Sequence, residues 1–155
     1  MEAAGIHESF VQDNHSKTNV KYTIRGMHFQ WEPPMGKLMR TTRGSAYLVA
    51  VDVRKGSPTL GKWFGLQSTE ENKKQLYAPA GFARGFQTLS DICEVQYKSS
   101  GFYNKSGESE IAWNDPQVAI KWPAPPTLLS PRDEKAQVLA AWLERPESNF
   151  FQYKS

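Results

Sequence analysis

The sequence predicts a mainly β fold, a sandwich or barrel closed by one C-terminal helix. Three observations carry this expectation. Short runs rich in β-branched and aromatic residues recur along the chain, Gly and Pro punctuate them at close spacing, and helical periodicity is confined to the C-terminal end. Residues 1–9 show no periodic pattern and are expected to form a frayed lead-in. From Phe10 onward, strands are expected at Val20–Ile24, Lys37–Thr42, Ala46–Val53, Leu76–Ala78 and Glu94–Lys98. Breaks between them fall at Pro33-Pro34, Arg43-Gly44, Gly56-Ser57-Pro58, Gly61, Pro79-Ala80-Gly81 and Gly101, residue types that favour turns. A Pro-rich stretch over 122–131 is expected to cross the surface. After Ser130-Pro131, residues Ala136, Leu139, Ala140 and Leu143 follow the i, i+3, i+4, i+7 rule and predict one helix.

A chain of 155 residues is expected to form one domain, 1–155, large enough to bury a core. Its 39% hydrophobic and 23% charged residues are ordinary for a globular protein. Five Trp, six Tyr and eight Phe are enough to wall a pocket as well as fill a core. The net charge of +3 is spread among acids, which argues against nucleic acid but suits one small phosphorylated ligand. The single Cys93 excludes an intrachain disulfide and fits a reducing compartment. Neither a membrane-spanning apolar run nor a secretory pattern at the N-terminus is visible, so a cytoplasmic location and no membrane partner are expected.

Two segments resemble the paired motifs of the cupin barrel: Arg25-Gly26-Met27-His28-Phe29-Gln30 and Pro79-Ala80-Gly81-Phe82-Ala83-Arg84-Gly85-Phe86. A metal-binding cupin needs further His ligands at positions 30 and 84, where this chain has Gln30 and Arg84. Arg carries no lone pair for a cation, so no metal is expected and His28 is free to act as a base.

A wider set of motifs resembles the dTDP-4-dehydrorhamnose 3,5-epimerase family. Phe10-Val-Gln-Asp-Asn14-His-Ser16, the His28 segment, Gly36-Lys37-Leu38, Val51-Asp-Val-Arg54, Gly56-Ser-Pro-Thr59, Glu71-Asn72, Gln75-Leu76, Tyr97-Lys98 and Trp113-Asn-Asp-Pro116 occur in family order over roughly residues 10–143. The resemblance implies a cupin-like double-stranded β-helix, or jelly roll, working without a cofactor as a homodimer. The implied activity is epimerisation of C3, C5 or both on a nucleotide-linked 4-keto-6-deoxyhexose, with dTDP as the expected carrier. It also implies His28 as base, Asp133 as its orienting carboxylate, Tyr97 as the acid on the opposite sugar face and Lys37 as the cation near the ketone oxygen. Each role is chemically apt: imidazole titrates near neutrality, a carboxylate fixes its tautomer, an ammonium stabilises an enolate, and a phenol can deliver a proton. Gln12, Asn14, Arg25, Gln30, Arg84, Glu108 and Arg132 are implied contacts to the nucleotide sugar.

Plainer readings stand beside these. A lone His beside Met27 and Phe29 can be structural, Ser130-x-x-Asp133 matches a helix-capping box, Tyr97 fits a cross-strand aromatic, Lys37 a solvated charge and Arg84 an outward one. His7 and His15 are read as structural. The chain departs from the family at Arg84, where the epimerases have His, and only nine residues precede Phe10 where the family has several dozen. If the family His assists proton transfer, Arg84 slows the reaction or confines it to one carbon; if it polarises the ketone, little is lost. Competing functions are a ketoisomerase, a non-catalytic sugar-nucleotide binding module and a metal-dependent cupin dioxygenase.

Overall fold

A computed structural model describes residues 4–154. Nine strands form two antiparallel sheets: β1 Gln12–Thr18, β2 Ile24–Gln30, β3 Lys37–Arg43, β4 Ser45–Asp52, β5 Trp63–Thr69, β6 Gln75–Ala78, β7 Phe82–Thr88, β8 Cys93–Ser99 and β9 Glu108–Glu110. The four-stranded sheet runs β1-β8-β3-β6 and the five-stranded sheet β5-β4-β7-β2-β9. Their facing sides make the cupin-type barrel that the motifs implied.

Strand alternation divides the core in two. On β4, Ala46, Leu48 and Ala50 face the other sheet, where Met39, Cys93 and Val95 meet them, and Phe86 of the neighbouring β7 joins the same cluster. Val49 and Val51, with Val53 just beyond the strand, face the opposite way and pack against Val118, Leu139, Trp142 and Phe151. Both faces of β4 are therefore covered, which is why its sequence is an unbroken apolar run. Phe29 stacks edge-on against Trp142 with centroids 4.6 Å apart, tying β2 to the C-terminal segment.

The expected strands at 37–42, 46–53, 76–78 and 94–98 appear within a residue or two of their bounds. The expected strand at Val20–Ile24 is instead a turn, with Tyr22 at φ 63° and the Val20 carbonyl accepting from the Thr23 and Thr88 hydroxyls, so β2 begins only at Ile24. The expected single helix is two short ones, α1 Pro131–Glu134 and α2 Leu139–Glu144. Between them the Gln137 carbonyl accepts from Ala112 N–H at 2.7 Å and Asp115 Oδ2 accepts from Leu139 N–H at 2.6 Å, so this backbone bonds to the 112–115 loop rather than to its own helix. Residues 4–9 form no strand, while Phe10 packs edge-on against Tyr77 at 6.5 Å. No helix among the described residues is long and apolar enough to cross a membrane.

Candidate active site

Residues that point into the barrel change character along it. At one end the inward positions are the apolar ones above; at the other they are polar and surround a cavity of about 260 Å³. Period-two alternation explains the membership: Gln12, Asn14 and Ser16 are inward residues of β1, Lys37 of β3, Tyr97 and Ser99 of β8, and Arg84 and Phe86 of β7. His28 comes from β2, Glu108 from β9, and Arg132 and Asp133 from α1.

His28 owes its place to a local irregularity. The β2–β7 register shifts between Arg25 and His28, leaving His28 opposite Arg84. Gly26, at φ 125°, and Gly85 permit the close approach, since a Cβ on Gly26 would lie 2.7 Å from the Gly85 Cα. Across the cavity floor His28 Nε2 lies 2.6 Å from Asp133 Oδ1. Asp133 is brought there by α1, whose N-cap Ser130 accepts the Asp133 N–H at 3.1 Å. The Asp133 amide is thus capped by Ser130 while its carboxylate bonds to His28.

Burial lowers the His28 pKa below its ordinary 6.5 against the upward pull of the Asp133 hydrogen bond, and Arg84 and Arg132 lower it further. The imidazole is therefore neutral at pH 7. With Nε2–H donating to Asp133, the ring's lone pair is on Nδ1. Burial alone would raise the Asp133 pKa, but the hydrogen bond and charge of His28, with hydrogen bonds from Ser130 and the Gly26 backbone, together outweigh it and the carboxylate stays ionised.

Arg84 is only 8% exposed, and its Nε has no hydrogen-bond partner among the described residues. Its guanidinium carbon lies 4.7 Å from the Tyr97 ring centroid, and the Lys37 ammonium lies 4.9 Å from the same centroid. Arg84 and Lys37 thus flank one phenol. Burial, and then the charge of Arg84, brings the Lys37 pKa down to about 6. A buried guanidinium without a carboxylate ion-pair partner among the described residues and a lysine that readily loses its proton mark this end of the cavity as short of negative charge.

The remaining expected residues are distributed as follows. Gln12 and Asn14 are joined at 2.9 Å, Asn14 reaches the Ser99 hydroxyl at 3.4 Å, and Arg25 Nε donates to Thr18 Oγ1 at 3.1 Å. Arg132 donates to Glu108 at 2.8 Å and to Glu110 at 2.8 and 2.5 Å. Gln30 does not line the cavity. Its amide nitrogen donates to the Pro33 and Phe102 carbonyls at 3.2 and 3.1 Å and its oxygen accepts from Asn104 N–H, which fixes the loop at the rim. His15, read as structural, pairs with Glu94 on the outer face at 2.9 Å and does not line the cavity. Ser16, Met35, Phe86, Ser99, Tyr103 and Ser130 also line the cavity and were not expected. Ser16 could have been found as the next period-two position after Gln12 and Asn14. Tyr103 comes from a loop with no periodic signal, and its hydroxyl donates to Glu108 at 2.6 Å. Among the described residues no three His, Cys, Asp or Glu side chains cluster as metal ligands.

A cupin-type barrel with a neutral imidazole oriented by a buried carboxylate, facing a phenol and a set of cations, defines an enzyme that moves protons. The model of the dTDP-4-dehydrorhamnose 3,5-epimerase family matches residues 1–141, and the chain belongs to that family of carbohydrate epimerases. It is 50% identical over 137 residues to the dTDP-4-dehydrorhamnose 3,5-epimerase of Shigella flexneri, spanning 88% of this chain and 75% of that one. It is also 39% identical over 140 residues to a dTDP-4-dehydrorhamnose 3-epimerase from Streptomyces niveus, spanning 90% of this chain and 67% of that one. Among solved structures, the dTDP-6-deoxy-D-glucose-3,5-epimerase of Legionella pneumophila Philadelphia 1, in complex with dTDP-4-keto-L-rhamnose, superposes with a TM-score of 0.91 at 41% identity, covering 99% of this chain and 80% of that one.

Proposed function

We propose that this enzyme epimerises a dTDP-linked 4-keto-6-deoxyhexose at C3, C5 or both by removing and returning a proton next to the ketone, with His28 as the base. The observation that carries the reading is the 2.6 Å bond between His28 and the buried Asp133, which supplies a neutral, oriented imidazole inside a cavity. His28 Nδ1 takes the proton from the carbon next to the C4 ketone, and the electron pair left behind becomes an enolate with its charge on the C4 oxygen. Asp133 stabilises the imidazolium that forms, as a carboxylate does in a serine-protease triad.

Lys37 and Arg84 are the groups suited to meet the enolate oxygen. An entering diphosphate brings the negative charge this end of the cavity lacks, which favours the protonated form of Lys37. Tyr97 is the proton donor to the opposite face of the sugar; after the transfer its phenolate lies beside the same two cations. Arg25, Arg132, Gln12, Asn14 and Glu108 form the binding groups for the nucleotide diphosphate, with Gln30 acting behind them through the rim loop. Relatives named as 3,5-epimerase and as 3-epimerase leave both carbons within the proposal.

Family membership also supports a cytoplasmic homodimer, checked by sedimentation at micromolar concentration. The activity itself is tested by incubating the protein with dTDP-4-keto-6-deoxyglucose in deuterated water and locating label by NMR. Deuterium at C3, C5 or both supports an epimerase, whereas tight binding without any exchange would identify a binding module.

A further inference from the structure

Helix α1 is four residues long, far too short to hold itself in place, so the position of Asp133 depends on tethers from outside the helix. One tether is local, the Ser130 cap on the Asp133 amide. Another is long-range. Arg132, the residue before Asp133, donates through Nε and Nη2 to Glu110 Oε2 at 2.8 and 2.5 Å and through Nη1 to Glu108 Oε1 at 2.8 Å. Glu108 and Glu110 are two residues apart on β9 and so project from the same side of the strand, which lets one planar guanidinium engage both. β9 pairs with β2, and the residue directly opposite Glu110 in that pairing is His28. The base and the far end of the tether therefore share one strand register, and α1 is fastened to it immediately beside the carboxylate that touches the base.

We propose that Glu110 is a positioning residue, which acts through Arg132 to hold α1 where Asp133 orients the His28 imidazole. This rests on the reading of His28 as the base. Glu110 does not line the cavity, so it touches no substrate and acts only through Arg132, which keeps its bond to Glu108 when Glu110 is removed. Glu108 differs, because it lines the cavity and also accepts from Tyr103. A fork held at two carboxylates is also stiffer than one exposed ion pair, which by itself contributes little.

The test uses the full chain with ¹⁵N-labelled histidine. The short His28–Asp133 bond should give a downfield ring N–H resonance, read alongside kcat and KM. Glu110→Ala is expected to lose or broaden that resonance and to lower kcat on the order of tenfold to a hundredfold, the scale of a misplaced catalytic group, with any change in KM smaller than that in kcat because Arg132 keeps its bond to Glu108. Glu110→Gln keeps an oxygen acceptor in place and should retain most of both signals. Should the Ala variant not fold, Glu110→Asp, which shortens the arm by one methylene, should show the same loss of the resonance. An unchanged resonance in a folded Ala or Asp variant overturns the proposal, as does a rise in KM with kcat unchanged. A lost resonance with wild-type turnover leaves Glu110 as a positioning residue and overturns the orienting of His28 by Asp133 as a requirement of the reaction, so the two readings fail separately.

Discussion

Arg84 lies directly opposite His28 in the β2–β7 pairing, which sets a permanent cation beside the base. The guanidinium disfavours the imidazolium and so contributes to the lowered His28 pKa, after burial and against the pull of Asp133. Removing it should raise that pKa. Arg84→Ala is therefore expected to move the acid limb of the kcat/KM profile to higher pH, and to cost about tenfold or more in turnover through the lost charge-assisted hydrogen bond. Arg84→His should be tolerated, because a donor remains. A pH profile identical to wild type in Arg84→Ala would show that the side chain does not act on the base.

Lys37 offers a test through stability. Between its folded pKa of about 6 and the ordinary lysine value of 10.5, the unfolded chain binds a proton that the empty folded site does not. The stability of the ligand-free protein should therefore rise with pH across that window through this group. Lys37→Met removes the penalty. It should raise the Tm of the ligand-free protein at pH 7 while abolishing or severely reducing turnover, a trade of stability for function. A lower Tm, measured by calorimetry without ligand, would contradict this.

Tyr97 faces the cavity from the sheet opposite His28, flanked by Arg84 and Lys37. Without the phenol the enolate can still form on the His28 side but cannot be protonated from the other. Tyr97→Phe should keep exchange of solvent deuterium into substrate while net inversion falls, as read by NMR of substrate and product together. Loss of both in equal measure would place Tyr97 earlier in the reaction.

Asp133→Asn leaves the imidazole present but removes the charge that holds its tautomer. By analogy with triad carboxylates, kcat should fall on the order of 10²–10⁴. Retained turnover would reduce Asp133 to the helix-capping role of its segment.

Strands with a plain apolar run, such as β4, were legible in the sequence, whereas β1, β2, β5, β7 and β9 were not expected over these bounds, and the reason is plainest in β1. Gln12, Asn14 and Ser16 point into the cavity while Asp13, His15 and Lys17 point to solvent, so the strand has two polar faces and no hydrophobic period. β4 shows the converse, since burial on both faces made it the clearest run in the chain. The helix signal at 136–143 gave no warning of the break at Gln137, because the hydrogen bonds responsible reach to Ala112 and Asp115, far away in sequence. For the site, motif resemblance brought together residues from six strands and α1. It also included Gln30, whose type fits a ligand contact but whose amide is engaged by the rim loop. Glu110 carried no motif at all, and its relation to Asp133 emerges only from the β2–β9 register and the reach of Arg132.

The most direct test of the account is solvent exchange in His28→Ala or His28→Asn, with dTDP-4-keto-6-deoxyglucose in deuterated water and nucleotide-sugar affinity measured in parallel by calorimetry. Only the base forms the enolate, whereas binding draws on diphosphate and nucleoside contacts away from the reacting carbon. Deuterium incorporation should vanish at both C3 and C5 while affinity stays close to wild type. Exchange at near wild-type rate in either variant would mean that another group removes the proton, and the mechanism built on His28 and Asp133 would be wrong.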